Sequence, residues 1–319
     1  MRVTDDNPFA GPAKFLALAL GALLVLCSAG RAASAQSPQD EETTRKLWDT
    51  AFNGSKRKPA RSARKNARRG YRVATPRVPP SNVAGDTVVG VTIWRLRPAA
   101  DSDRGERILE HESEETAEWI PERVSADARL SEGDRVRLSI EAARTGYLYV
   151  VDREQYADGT LGDPYLIFPT ARTLGGNNRV AAGTLVDIPA QDDGPPYFTL
   201  RRSRADQVGE LLSVVITPAP LDGLQVAEKA QRLTPEQVAS WEKSWGGQVG
   251  QLELDHGAGK AWTKEERDAS AAAGRPLKPD APPPQTIYYN PAAKSSEPLL
   301  IKVRLRYGRA VSQGRAARR

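Results

Sequence analysis

Residues Gly133 to Pro169 read GDRVRLSIEAARTGYLYVVDREQYADGTLGDPYLIFP. In the first part Val136, Leu138 and Ile140 alternate with Arg135, Arg137, Ser139 and Glu141, the period of two that a half-solvated strand requires. In the second, Tyr147, Tyr149 and Val151 fall on one side of a strand and Leu148 and Val150 on the other. Tyr165 to Phe168 offers the antiparallel partner, with Asp158-Gly159 near the reversal. The acids in between raise the question of a cation or catalytic loop. Asp152, Asp158 and Asp163 lack the close, regular spacing of a calcium-binding loop, so the stretch reads first as a plain hairpin, with a cation site and a catalytic carboxylate pair as the lesser readings.

The same period recurs along the chain. Val88 to Leu96, Thr184 to Ile188, Tyr197 to Leu200, Leu211 to Thr217 and Leu299 to Tyr307 all have strand character, separated in several places by turn residues. That rhythm predicts a mainly β protein, an antiparallel β-sandwich over residues 86–308. One helical interruption stands out. Thr234 is placed to cap, Pro235 sits at the first helical position, Gln237 completes a capping box, and Leu233 can staple to Val238. Val238, Trp241 and Trp245 then share a face before Gly246-Gly247. Trp262 to Glu266 repeats the cap pattern more weakly, and a proline run follows at Pro282 to Pro284. Residues 225–298 are therefore expected to form a small helical excursion before the last strand.

Several short motifs occur in a fixed order: Gly-Asp at Gly133, Gly-Tyr-Leu-Tyr at Gly146, Leu-Ile-Phe-Pro at Leu166, and Ala-Gly before Ile-Pro between Ala182 and Pro189. Over roughly residues 130–217 this resembles the bacterial domain of unknown function numbered 4384. The resemblance implies a β-rich module attached to envelope or signalling proteins. It implies no reaction and no catalytic residues.

The N-terminal part has a different character. Phe15 to Leu26 is an unbroken apolar run of 12 residues, short of the ~20 that cross a bilayer. With Ala33-Ser34-Ala35 downstream, residues 1–35 read as a signal peptide cleaved before Gln36, and the competing reading is an uncleaved membrane anchor. The chain's one cysteine, Cys27, lies in this segment. The expected location is secreted or periplasmic. Residues 36–85 read as a short helix, with Leu47, Trp48, Ala51 and Phe52 on one face, followed by a disordered linker rich in basic residues and proline. Within it Lys56, Arg57, Lys58, Arg61, Arg64, Lys65, Arg68, Arg69 and Arg72 form a run with no acid among them. They are the candidate contacts for an anionic polymer or a membrane surface. Residues 309–319 read as a disordered basic tail.

Motifs for chemistry fail one by one. His111-Glu112-Ser113-Glu114-Glu115 opens like a zinc-protease helix but ends in Glu where the second histidine ligand belongs. Before His256-Gly257-Ala258-Gly259-Lys260, Leu254 stands at the first glycine of a phosphate loop, and Ala261 at the position that would bind magnesium. Two histidines in the whole chain leave few nucleophile and base pairs. The expectation is a non-enzymatic module with no cofactor, bound to an envelope protein or an anionic envelope polymer. Export and the lack of interleaved aromatics disfavour nucleic acid. Trp241 and Trp245 are candidate partner contacts, although such a pair more often docks its own helix. The alternative is a hydrolase of envelope polysaccharide working through two carboxylates. A third reading is an assembly protein that adds a strand to a partner through an exposed edge.

Overall fold

The computed structural model describes residues 70–73, 87–112, 115–247, 249–271, 274–278 and 281–308. The expected signal segment, the helix expected around Trp48 and the expected basic tail lie outside the described residues. In chain order the strands are β1 (Tyr71–Val73), β2 (Val88–Pro98), β3 (Ile108–Glu112), β4 (Glu115–Val124), β5 (Arg129–Leu130), β6 (Arg135–Ala142), β7 (Gly146–Tyr156) and β8 (Tyr165–Phe168). They continue with β9 (Arg179–Val180), β10 (Thr184–Ile188), β11 (Phe198–Thr199), β12 (Gln207–Thr217), β13 (Gln231–Arg232), β14 (Gly250–Leu254), β15 (Thr286–Tyr289) and β16 (Leu299–Tyr307). Two short helices interrupt them, α1 (Pro235–Trp245) and α2 (Lys264–Ala271).

The strands form two sheets. In the first, β2 is the spine. It pairs with β6 along one edge and, along the other, with β15 over Val88 to Val91 and then β4 over Ile93 to Pro98. The sheet extends through β14 and β1 on one branch, β3 on a second, and β10 and β11 beyond β6. In the second sheet β12 is central, with β7 on one side and β16 on the other, both antiparallel. The β7–β8 pairing aligns Asp152 with Tyr165, so the opening stretch is the expected hairpin.

The sheets pack face to face as a sandwich. Val89, Val91 and Ile93 of β2 with Leu138 and Ile140 of β6 meet Leu148 and Val150 of β7, Leu212, Val214 and Ile216 of β12, and Ile301 and Val303 of β16. Each such side chain stabilises the fold by roughly 1.5–3 kcal/mol on burial. The outer face of the second sheet carries α1. Val238 and Trp241 pack on Tyr149, Val151, Val215 and Leu300, and Thr234 Oγ1 accepts from the Gln237 amide at 3.1 Å as the cap motif requires.

Three expectations need correction. First, the polar face of β6 is not solvated. Arg137, Ser139 and Glu141 are 1%, 4% and 2% exposed. The segment following β14 returns over this face and covers it. The Trp262 amide donates to the Pro121 carbonyl, and the Arg123 side chain donates to Glu266 in α2 and to the Pro283 carbonyl. A Cβ on Gly90 would lie 2.6 Å from Pro284 Cγ, so only glycine in β2 lets the proline run approach this closely. Second, residues 225–298 are only partly helical, because β14 and β15 are full members of the first sheet. Third, the linker does not run free to residue 85. Tyr71–Val73 is an edge strand on β14, with Tyr71 buried and its hydroxyl donating to the Pro284 carbonyl at 2.7 Å.

Beneath the cover, charges are matched. Arg137 pairs with Asp187 of β10 at 3.0 Å, Ser139 Oγ donates to the other carboxylate oxygen, and Trp94 Nε1 donates to Ser139 Oγ at 2.8 Å. Burial pushes the Asp187 carboxyl above its ordinary range, while Arg137 and Ser139 pull it back. Arg137 also lies over Trp262 and Arg123 over Trp94. Removing one partner leaves a buried charge alone, so Asp187→Ala is expected to cost about 3–5 kcal/mol. Urea denaturation checks this, and the apolar double replacement Arg137→Leu with Asp187→Leu is expected to recover most of the loss.

Candidate functional site

The inner faces of both sheets are hydrocarbon until one end of the second sheet. On β7 the inward positions run Leu148, Val150, Asp152, Glu154 and Tyr156; on β12 they run Ile216, Val214, Leu212 and Glu210. The register sets Leu212 opposite Asp152 and Glu210 opposite Glu154. Strand alternation therefore drives acidic side chains into the space between the sheets.

Glu210 is 8% exposed and Asp152 is half-buried. Tyr307 Oη donates to Glu210 Oε1 at 2.6 Å, and Gln207 Nε2 donates to the same oxygen at 2.8 Å. Glu154 accepts from Tyr156 Oη at 2.5 Å. Glu210 Oε2 and Asp152 Oδ1 have no hydrogen-bond partner among the described residues. A buried acceptor in that condition costs on the order of 1–3 kcal/mol. Arg202 is the nearby cation in the interior. It is committed elsewhere, lying 5.0 Å over the Tyr307 ring and donating to the carbonyls of Gln207 and Gly308.

The two acids line a cavity of about 210 Å³. Its other walls are largely apolar, formed by Val136, Leu138, Ile167, Phe198, Leu212 and Leu305, with Arg201 at the exposed rim. Ile167, Phe198 and Thr199 also line a neighbouring hollow of about 300 Å³ whose polar residues include Arg172, Asp193, Glu228 and Lys229.

Burial is the largest influence on both carboxyls. It pushes Asp152 up to about 7, with repulsion from Glu154 adding to the effect and a backbone hydrogen bond opposing it. It pushes Glu210 up to about 8, with repulsion from Asp152 second and the bonds from Tyr307 and Gln207 opposing. The Tyr307 hydroxyl is likewise held in its neutral form, by burial and then by Glu210. Chemically, the cavity's inner end can take up or release protons near neutral pH and, once ionised, offers two free oxygens to a donor.

The residues singled out from the sequence lie elsewhere. Lys56, Arg57, Lys58, Arg61, Arg64, Lys65, Arg68 and Arg69 fall outside the described residues, and Arg72 stands in β1 opposite Glu253. Trp241 is buried under α1 and Trp245 stacks on it at 5.8 Å and 14°, so the pair contributes to seating the helix. Of the hairpin acids, Asp158 accepts from the amide and hydroxyl of Thr160 and Asp163 pairs with Arg232 at 2.7 Å. Both serve the turn, as expected. Asp152 is not set apart from the turn acids by the hairpin reading, and Glu210 lies outside that stretch. Their signal was present in the strand parity, since Asp152 continues the Leu148, Val150 series and Glu210 the Leu212, Val214 series. Among the described residues no group of three or more histidine, cysteine or acidic side chains is arranged to hold a metal ion. Neither a family model, nor a curated protein, nor a solved structure matches the chain.

The raised carboxyls set the sign of the pH dependence. Unfolded, both titrate near about 4; folded, Asp152 does so at about 7 and Glu210 at about 8. Between those limits the native state holds more protons, so their stability contribution is complete below about pH 4 and is lost as pH rises to about 8. Unfolding free energies measured from pH 5 to pH 9 are expected to fall with pH for the native chain. The slope should flatten in Glu210→Gln.

Proposed function

We propose that the chain is a non-catalytic interaction module of the cell envelope, exported from the cytoplasm, which holds anionic envelope polymer through its basic segment. The observation that supports this reading best is the junction between that segment and the sandwich. Nine basic residues end at Arg72, directly beside the buried Tyr71 anchor in β1. Polymer caught at the end of the run, at Arg68, Arg69 and Arg72, is thereby held within a few residues of the sheet edge. The attraction is multivalent and non-specific in sequence, as expected of clustered Lys and Arg at a polyanion or an anionic lipid surface. The short motifs that resemble the bacterial β-rich family would suit a module of this kind, and an envelope protein is the other partner class.

A hydrolase of envelope polysaccharide would draw on Asp152 and Glu210. The mostly apolar cavity walls offer a sugar's hydroxyls few hydrogen-bond partners, and the geometry therefore supports binding better than glycoside cleavage.

Because Tyr71 is part of the fold, the test must neutralise the run without cutting into β1. Serine at Lys56, Arg57, Lys58, Arg61, Arg64, Lys65, Arg68 and Arg69 does this. The native chain is expected to pellet with envelope fragments at low salt and to be released as salt rises. The serine variant should lose most of that recovery. Equal and salt-independent recovery of the two proteins would overturn the reading.

A further inference from the structure

The cavity between the sheets combines three features that none of the fold's other buried acids combines. Its walls are mostly hydrocarbon, its inner end carries two carboxyl groups from adjacent strands, and each of those groups has an oxygen without a partner among the described residues. Asp187 and Glu266, buried acids elsewhere, each face an arginine within the chain. Glu210, nine-tenths buried, has its Oε1 occupied by Tyr307 and Gln207 and its Oε2 unpartnered.

We propose that this cavity binds a small molecule with an apolar body and a primary ammonium head, the ammonium seated between Asp152 and Glu210. An ammonium carries three donors and no acceptor, so it suits an inner end where Asp152 Oδ1 and Glu210 Oε2 are acceptors without a partner among the described residues. Its charge-assisted bonds to two carboxylates are the strong kind, and the apolar body replaces water along Leu138, Ile167, Phe198 and Leu305.

The surrounding charges favour this polarity. Asp152 and Glu154 come from β7, Glu210 from β12 and the Tyr307 hydroxyl from β16. Among the described residues the nearby cations include Arg201, at the exposed rim where water screens it, and Arg202, whose two terminal nitrogens are bonded to backbone carbonyls while its Nε has no hydrogen-bond partner. An entering ammonium displaces the proton held by the pair, so binding strengthens as pH rises. An alkylammonium stays charged across the whole range, which leaves the carboxyls as the groups that titrate. The site uses none of the basic residues 56–72 and does not rest on the envelope reading.

The test is calorimetric titration of the full chain with hexylamine and with hexan-1-ol, at pH 5.5 and pH 8. Hexylamine is expected to bind one per chain, at least tenfold tighter at pH 8 than at pH 5.5, with proton release visible as a dependence of the heat on buffer. At pH 8 the alcohol should bind at least tenfold more weakly than the amine. Glu210→Gln should reduce amine affinity at least tenfold and leave the alcohol unchanged, and Asp152→Asn provides a second variant should the first fail to fold. No saturable amine binding would overturn the proposal. So would equal affinity for amine and alcohol, or amine binding unchanged in both variants.

Discussion

The structure depends on one constraint: the central strands of both sheets are buried on both faces. For β12 this is a matter of hydrocarbon, because α1 supplies Val238 and Trp241 to a face that already presents Val215 beside Leu300 of β16. For β6 it is a matter of charge. Its inner residues Val136, Leu138 and Ile140 join the core, while its outer residues include Arg137, Ser139 and Glu141, which must be taken out of water with partners or not at all. Asp187, presented by the neighbouring strand β10, meets Arg137 and Ser139. Trp94 and Trp262 close over the pair. The segment from β14 to β15 is therefore the second layer of the first sheet, and its removal would expose the Arg137–Asp187 pair to water.

That arrangement accounts for what could be read from the residues alone and what could not. Strands such as β6, β7, β12 and β16 have a two-residue period that stands out locally, and α1 announces itself through Thr234, Pro235 and the spacing of Val238, Trp241 and Trp245. Strands β3 and β4 carry five glutamates between them and have Pro121 within β4, so their composition resembles a solvated loop. β1 is three residues at the end of a basic run, and its pairing joins Tyr71 to Leu254 across most of the chain. No local pattern carries a contact of that separation. Period also says which residues alternate but not whether both faces are covered. For that reason the pattern of β6 reads as half-solvated, although Trp262, Leu277 and Pro284 lie with Ser139 and Glu141 around one hollow on its outer face.

Parity was more informative than composition for the acids. Asp158, Asp163 and Asp152 belong to one short stretch, and an aspartate count treats them alike. Their positions relative to the strand separate them: two lie in the turn region, with Thr160 and Arg232 as partners, and the third occupies the inward series that begins with Leu148. Glu210 occupies the same kind of position on β12. A charged residue placed on the inward parity of a strand between two sheets is the kind of departure from pattern that accompanies a functional site or a buried ion pair.

Which of the two it is depends on the counter-charge. This fold is capable of matching buried acids, as Arg123 with Glu266 and Arg137 with Asp187 show. At the end of the sandwich an arginine is near as well, yet Arg202 gives its two terminal nitrogens to backbone carbonyls and lies over Tyr307, and the side-chain donors on Glu210, Tyr307 and Gln207, are neutral. Two unmatched acids beside a cavity weaken the fold as they ionise, while leucine or glutamine in their places would pack without that cost. Packing alone does not require them. A site that must hold a proton at one pH and a cationic donor at another requires both the acids and the missing counter-charge.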